Sequence, residues 1–89
     1  MKINGTFTLR EVAGEILVIP VGETALKMNG MIILNPVSKV IWECLEKGSD
    51  ADQILRNVTE LFDVDPAEAM QDIAEFLDQM RSQELLLEN

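Results

Sequence analysis

The sequence predicts an α+β, winged-helix-like domain with three strands first and three helices after. Three observations point there. The run MIILNPVSKVIWECLEKG, from Met31 to Gly48, passes from a short apolar stretch straight into a helical pattern. Before it, two strand-like runs flank Ala13-Gly14. After it come two more helical patterns, each opened by a capping signature. The chain has 89 residues, which is enough for one domain that buries about 60–65% of its unfolded surface. A core of that size leaves little room for a catalytic cavity, and a chain this short more often binds than catalyses.

Residues 6–12 (TFTLREV) set Phe7 and Leu9 against Thr8 and Arg10. That alternation is the mark of a half-buried strand. Ala13-Gly14 forms a turn, and residues 15–20 (EILVIP) make the second arm of a hairpin that ends at Pro20. Val21–Thr24 is expected to be loop, and Ala25–Met28 carries no decisive pattern, an extended crossover being one reading. Asn29-Gly30 is a strong turn signal, and Met31–Leu34 is the third strand.

The first long helix is expected over about 36–47. Asn35 is its N-cap, Pro36 takes the first helical position, and Gly48 stops it. Val37, Val40, Ile41, Cys44 and Leu45 recur on one face, with Trp42 at its margin. Ser49-Asp50-Ala51-Asp52 opens the next helix as a capping box with Asp52 in place of the usual Glu. Ile54, Leu55, Val58, Leu61 and Phe62 form its apolar stripe. Asp65-Pro66-Ala67-Glu68 then combines a cap, a proline at the first position and a Glu able to reach back.

The last helix is expected over about 66–83. Ala69, Met70, Ile73, Ala74, Phe76, Leu77 and Met80 fall in one wide arc, opposite Glu68, Gln71, Asp72, Glu75, Asp78 and Gln79. A wide arc usually means a helix packed against two neighbours. The alternative is that its Phe76/Met80 edge walls a groove. Leu85–Leu87 is expected to fold back onto the sheet.

Charge narrows the function. The net charge is −9. Residues 1–47 hold five Lys/Arg and five Asp/Glu, whereas residues 48–89 hold two and eleven, so the whole excess sits in the segment that contains the last two helices. Nucleic-acid binding draws its affinity from Lys and Arg on the contacting face. A recognition helix over Asp65–Glu84 would offer one Arg against six acids, which disfavours a winged-helix DNA-binding regulator.

The chain has no histidine and one cysteine. The commonest general base is therefore missing, and so are the ligand sets of zinc and iron–sulfur sites. Cys44 lies between Ile41 and Leu45 on the inner helix face, where a small core residue is expected. Glu68, Asp72 and Glu75 form a solvated stripe rather than a calcium site. No enzyme, cofactor or metal is expected. No apolar run has the length of a signal peptide or a membrane span, so a cytoplasmic protein with no membrane partner is expected.

The run LNPVSKVIWECLEKG resembles the LN-x-x-x-x-x-IW-x-x-L-x-x-G signature of the PqqD-like proteins, named for pyrroloquinoline quinone (PQQ) synthesis protein D. The resemblance continues through Asp65-Pro66 and Ala69, then Phe76-Leu77 and Met80, and covers about residues 7–87. Two positions depart from the family. Glu84 stands where a glycine usually follows the third helix, which would let that helix run on. Lys47 replaces a common acidic residue before Gly48.

The resemblance implies a three-stranded antiparallel sheet with three helices, and a recognition module for ribosomally made, post-translationally modified peptides. The leader segment of a precursor peptide would add a strand to the free edge formed by Met31, Ile32, Ile33 and Leu34. Main-chain hydrogen bonds would supply affinity and side-chain pockets selection. Phe76 and Met80 would wall the groove, Ala69 and Ile73 would give it depth, and Asp72 and Glu75 would stand on its rim. The implied partner is a radical SAM enzyme with an extra iron–sulfur domain of the SPASM type. PQQ synthesis is one pathway among several for this scaffold. A third reading keeps the fold without a peptide ligand: an oligomerising module whose strand edge pairs with another copy, as in a domain-swapped homodimer rather than a monomer.

Overall fold

In the computed structural model, which describes residues 1–28 and 30–88, the chain runs β1 (Lys2–Ile3), β2 (Phe7–Val12), β3 (Glu15–Pro20), α1 (Glu23–Lys27), β4 (Ile32–Leu34), α2 (Pro36–Lys47), α3 (Ala51–Leu61), α4 (Pro66–Ser82) and β5 (Leu86–Leu87). β2 and β3 form the expected hairpin, in register from Phe7 opposite Pro20 to Val12 opposite Glu15. Ala13 and Gly14 close it at φ +52° and +83°. Two positive φ values in succession suit the right-handed twist of the flanking strands. β4 pairs with the other side of β3, Ile16 opposite Leu34 through Val18 opposite Ile32. The antiparallel sheet therefore has the order β2-β3-β4. Ile16, Val18 and Pro20 face the helices and are buried, while Leu17 and Ile19 face outward and are half-buried.

Two expectations about the connections are corrected. Residues 23–27 form a short helix, not a loop and extended crossover. The segment after α4 folds back as expected in that Leu85 packs with Ile16, Val18 and Leu34 of the sheet, but Leu86–Leu87 pairs with Lys2–Ile3 in a separate two-stranded sheet. Neither arm of that ladder carries a long alternating pattern, so neither is visible until the chain ends meet. Asn29, half of the expected Asn29-Gly30 turn, lies outside the described residues.

The helix starts are local and mostly as read. The Asn35 side chain accepts from the Ser38 amide at 2.8 Å, and Pro36 takes the first position. Asp65 accepts from the Ala67 amide at 3.0 Å, and Glu68 stays exposed. The capping box of α3 is shifted by one residue. Asp50, not Ser49, is the N-cap, and Gln53, not Asp52, closes the box. A glutamine amide reaches back to the N-cap amide as a glutamate would. Lys47 ends α2 with its charge near the helix C-terminus, and Gly48 follows at φ +91°, a geometry that favours glycine. Glu84 does not prolong α4: the helix ends at Ser82, and Glu84 itself takes φ +59°.

The core has two parts. Ile41, Cys44 and Leu45 of α2 pack with Ile54 and Val58 of α3 and with Ala69, Ile73 and Leu77 of α4. Ile16, Val18 and Leu34 of the sheet pack with Trp42, Met80 and Leu85. Phe76 is half-buried and packs against both. Cys44 is buried, and its Sγ accepts from Asn57 Nδ2 at 3.1 Å. Trp42, expected at the margin of the helix face, is fully buried. Leu61, expected in the buried stripe of α3, is exposed.

Candidate functional site

Among the described residues, β4 has one neighbour, β3, and its other edge is unpaired. An unpaired edge presents main-chain donors and acceptors in a row. Within β4 the side chains alternate as the pleat requires. Leu34 is buried, Ile32 is half-buried against the core, and Ile33 is 65% exposed on the outward face. Met31 precedes β4 and is 53% exposed.

Where β4 passes into α2, a cleft of about 260 Å³ opens between α2 and α4. Val37, Ile41 and Phe76 give it an apolar floor, and Asn35, Ser38, Asp72, Glu75 and Gln79 surround it. The α4 residues in this lining are 72, 75, 76 and 79, spaced i, i+3, i+4 and i+7, which is one stripe of a helix. The neighbouring stripe, Ala69, Ile73, Leu77 and Met80, is the core.

This division sorts the predicted residues. Phe76, Asp72 and Glu75 come together at the cleft beside the end of β4. Ala69, Ile73 and Met80 do not: they are 2%, 1% and 3% exposed and back the wall from inside. Ala69 and Ile73, expected to deepen the groove, lie in the stripe packed on α2 and α3 and do not line this cleft. Sequence reasoning had Asn35 only as a cap and Ile41 only as core, and it missed Val37, Ser38 and Gln79 as lining residues. Gln79 had a signal, since it follows Phe76 by three and Asp72 by seven. Val37 and Ser38 had none, because their position depends on how α2 crosses α4.

The cleft is acidic, and its own cations are elsewhere. Arg81 Nη1 bonds Asp78 at 2.9 Å and its Nη2 lies 3.0 Å from Glu88. The hydrogen bond to Glu88 holds the guanidinium above its usual range; desolvation opposes it, and the charge of Glu88 and the bond and charge of Asp78 add to it. Asp72 and Glu75 make no ion pair among the described residues.

Two larger clefts lie elsewhere. One of about 890 Å³ has a mixed polar and apolar lining from Asn4–Thr6, the residues in and around α1, and Gln83–Leu85. Another of about 560 Å³ runs between α2 and α3 past Cys44 and Asn57. Neither is lined by a β4 residue or by the residue that follows the strand. β2 also has a free edge, and Thr6, which precedes it, lines the 890 Å³ cleft, but the apolar-floored cleft is the one that Asn35, the residue after β4, lines. Size alone therefore does not select the site. The meeting of a free strand edge with an apolar-floored cleft does. Among the described residues, no helix is long and apolar enough to cross a membrane.

Comparison with known proteins agrees with this architecture. No curated protein matches the chain significantly. Among solved structures, the chain is similar to TbiB1, determined in complex with the TbiA(beta) leader peptide. The identity is 22%, 100% of this chain and 98% of that chain are covered, and the TM-score is 0.74. At that identity the likeness speaks to the fold. The sequence profile described as Coenzyme PQQ synthesis protein D (PqqD) matches residues 1–86, nearly the whole length, and the chain belongs to the PqqD family.

Proposed function

We propose that this protein binds the leader segment of a ribosomally made precursor peptide by strand addition to β4 and presents it to a modifying enzyme. The observation that carries the reading is the free edge of β4 running into the Val37/Ile41/Phe76 cleft. β4 has three residues, so a ladder on it supplies few main-chain hydrogen bonds. An apolar side chain of the peptide seated against Phe76 supplies the rest and sets the register. Asp72 and Glu75 favour a peptide with a Lys or Arg beside that anchor, since complementary charge speeds encounter and fixes orientation. The structure of TbiB1 in complex with a leader peptide supports leader binding here. The family resemblance names a radical SAM protein of the SPASM type as the modifying enzyme. The role is binding and delivery, with the chemistry left to that partner.

The test is a titration of isotope-labelled protein with the short peptides encoded beside its gene. Amide shifts concentrated on Ile32–Leu34 and on the 72/75/76/79 stripe of α4 are expected. Shifts that instead track β2, or no binding by any neighbouring peptide, would overturn the reading.

A further inference from the structure

Among the described residues, the core packs on the inner face of the β2-β3-β4 sheet, through Ile16, Val18 and Leu34, and not on its outward face. By register, β2 contributes Thr8, Arg10 and Val12 to it, β3 contributes Glu15, Leu17 and Ile19, and β4 contributes Ile33. Val12 and Ile33 are 53% and 65% exposed. An antiparallel sheet can leave one face to water, but that face is then normally polar. Here its middle is apolar.

The pattern is self-complementary. Arg10 lies opposite Leu17, Leu17 opposite Ile33, and Val12 opposite Glu15. With strands about 4.8 Å apart and same-face residues about 6.7 Å apart along a strand, Val12, Leu17 and Ile33 lie close to one diagonal of the sheet. Arg10 stands on one side of that diagonal and Glu15 on the other. A two-fold axis along it lays each apolar residue near its own copy and sets Arg10 across from Glu15 of the second molecule, twice. The strands of the two sheets then cross near a right angle, one of the two favoured ways for sheets to pack. Neither Arg10 nor Glu15 has an ion-pair partner within the chain among the described residues.

Charge also selects this face. The excess of −9 falls wholly on residues 48–89, while residues 1–47 are balanced. Two copies meeting through α3 or α4 bring like charges together, and two copies meeting through the sheet do not.

We propose that the outward sheet face is a self-association surface, occupied by a second copy of this chain in a two-fold, face-to-face dimer. The contact is isologous and smaller than the ~800 Å² per partner of a standard interface, so it is weak and reversible. It leaves the unpaired edge of β4 and the Phe76 cleft open, unlike edge-to-edge pairing, which would block them. It does not rest on leader binding, so either reading can fail without the other.

Sedimentation equilibrium of the full chain tests it. The weight-average mass is expected to climb from that of one chain toward two between about 10 µM and 1 mM. Arg10→Glu and Glu15→Arg, both at exposed positions, are each expected to weaken association by about tenfold, and the double swap to return it to within about threefold, because each reversal breaks two symmetric pairs. Ile33→Lys is expected to abolish it. A chain that stays monomeric to 1 mM overturns the proposal. So does a double swap that fails to restore association, or a dimer indifferent to Ile33→Lys, which would place the contact on another surface.

Discussion

The ring of Phe7 stands edge-on to Trp42, with centroids 5.1 Å apart and planes at 88°. This contact ties the start of β2 to the middle of α2, and so sheet to helices. Trp42 is fully buried, and its Nε1 has no hydrogen-bond partner among the described residues. The residue therefore contributes through packing and ring geometry, not through its polar end. Trp42→Phe removes the unsatisfied N–H along with part of the volume and is expected to cost about 1–2 kcal/mol, against about 3–5 kcal/mol for Trp42→Ala. Phe7→Leu loses the edge-to-face term, about 0.5–1.5 kcal/mol beyond area. Urea unfolding followed by circular dichroism would measure all three. Equal costs for Trp42→Phe and Trp42→Ala would mean that the indole N–H has a partner after all.

Glu84 holds φ +59° just beyond the end of α4, a conformation that costs a residue with a Cβ about 1–2 kcal/mol. Its carbonyl accepts from Asn4 Nδ2 at 2.9 Å, and its side chain is exposed. Glu84→Gly keeps the carbonyl bond and removes the strain. Glycine's greater freedom in the unfolded chain offsets part of the gain. A net stabilisation of about 0.5–1 kcal/mol is expected, read as a higher urea midpoint at unchanged slope. A destabilised Glu84→Gly variant would show that the glutamate side chain contributes something the turn needs.

At the cleft, anchor and rim are expected to separate in their effects. Phe76→Ala removes the apolar floor and is expected to weaken leader binding by at least about tenfold, along with a stability loss of about 1–3 kcal/mol because the ring is only half-buried. Glu75→Lys lies on the exposed rim and is expected to leave stability within about 0.5 kcal/mol. It should slow association and flatten its salt dependence without much change in dissociation. Fluorescence-anisotropy kinetics at two ionic strengths would distinguish these. A Glu75→Lys variant that acts only on dissociation would place the carboxylate in a buried contact instead of on the rim.

Much of the fold was legible because its signals are short-range. Asn35-Pro36, Asp65-Pro66 and Gly48 act through the first or last turn of their own helices, and the Ala13-Gly14 turn requires only two dihedral pairs. Even the shifted box at Asp50/Gln53 is the same local mechanism displaced by one residue. The β1–β5 ladder was not legible, since it joins two two-residue segments from opposite ends of the chain. Glu84 misled for a related reason: a helix end usually marked by glycine was imposed through Asn4 and Leu85, with the strain carried by the backbone.

The candidate site divides along the same line. The sequence by itself determined that α4 is amphipathic, acidic and entered through a proline cap, that the Met31–Leu34 segment is strand-like, and that negative charge gathers in the second half of the chain. All of these follow from residue type and period. Only the tertiary structure decided which stripe of α4 is spent on the core. A helical arc as wide as that from Ala69 to Met80 fits more than one rotation about the helix axis. Packing of Ala69, Ile73, Leu77 and Met80 onto α2, α3 and the sheet selected one of them. That choice leaves Phe76 at the surface with Asp72, Glu75 and Gln79 around it, beside a strand edge that pairing order alone left free.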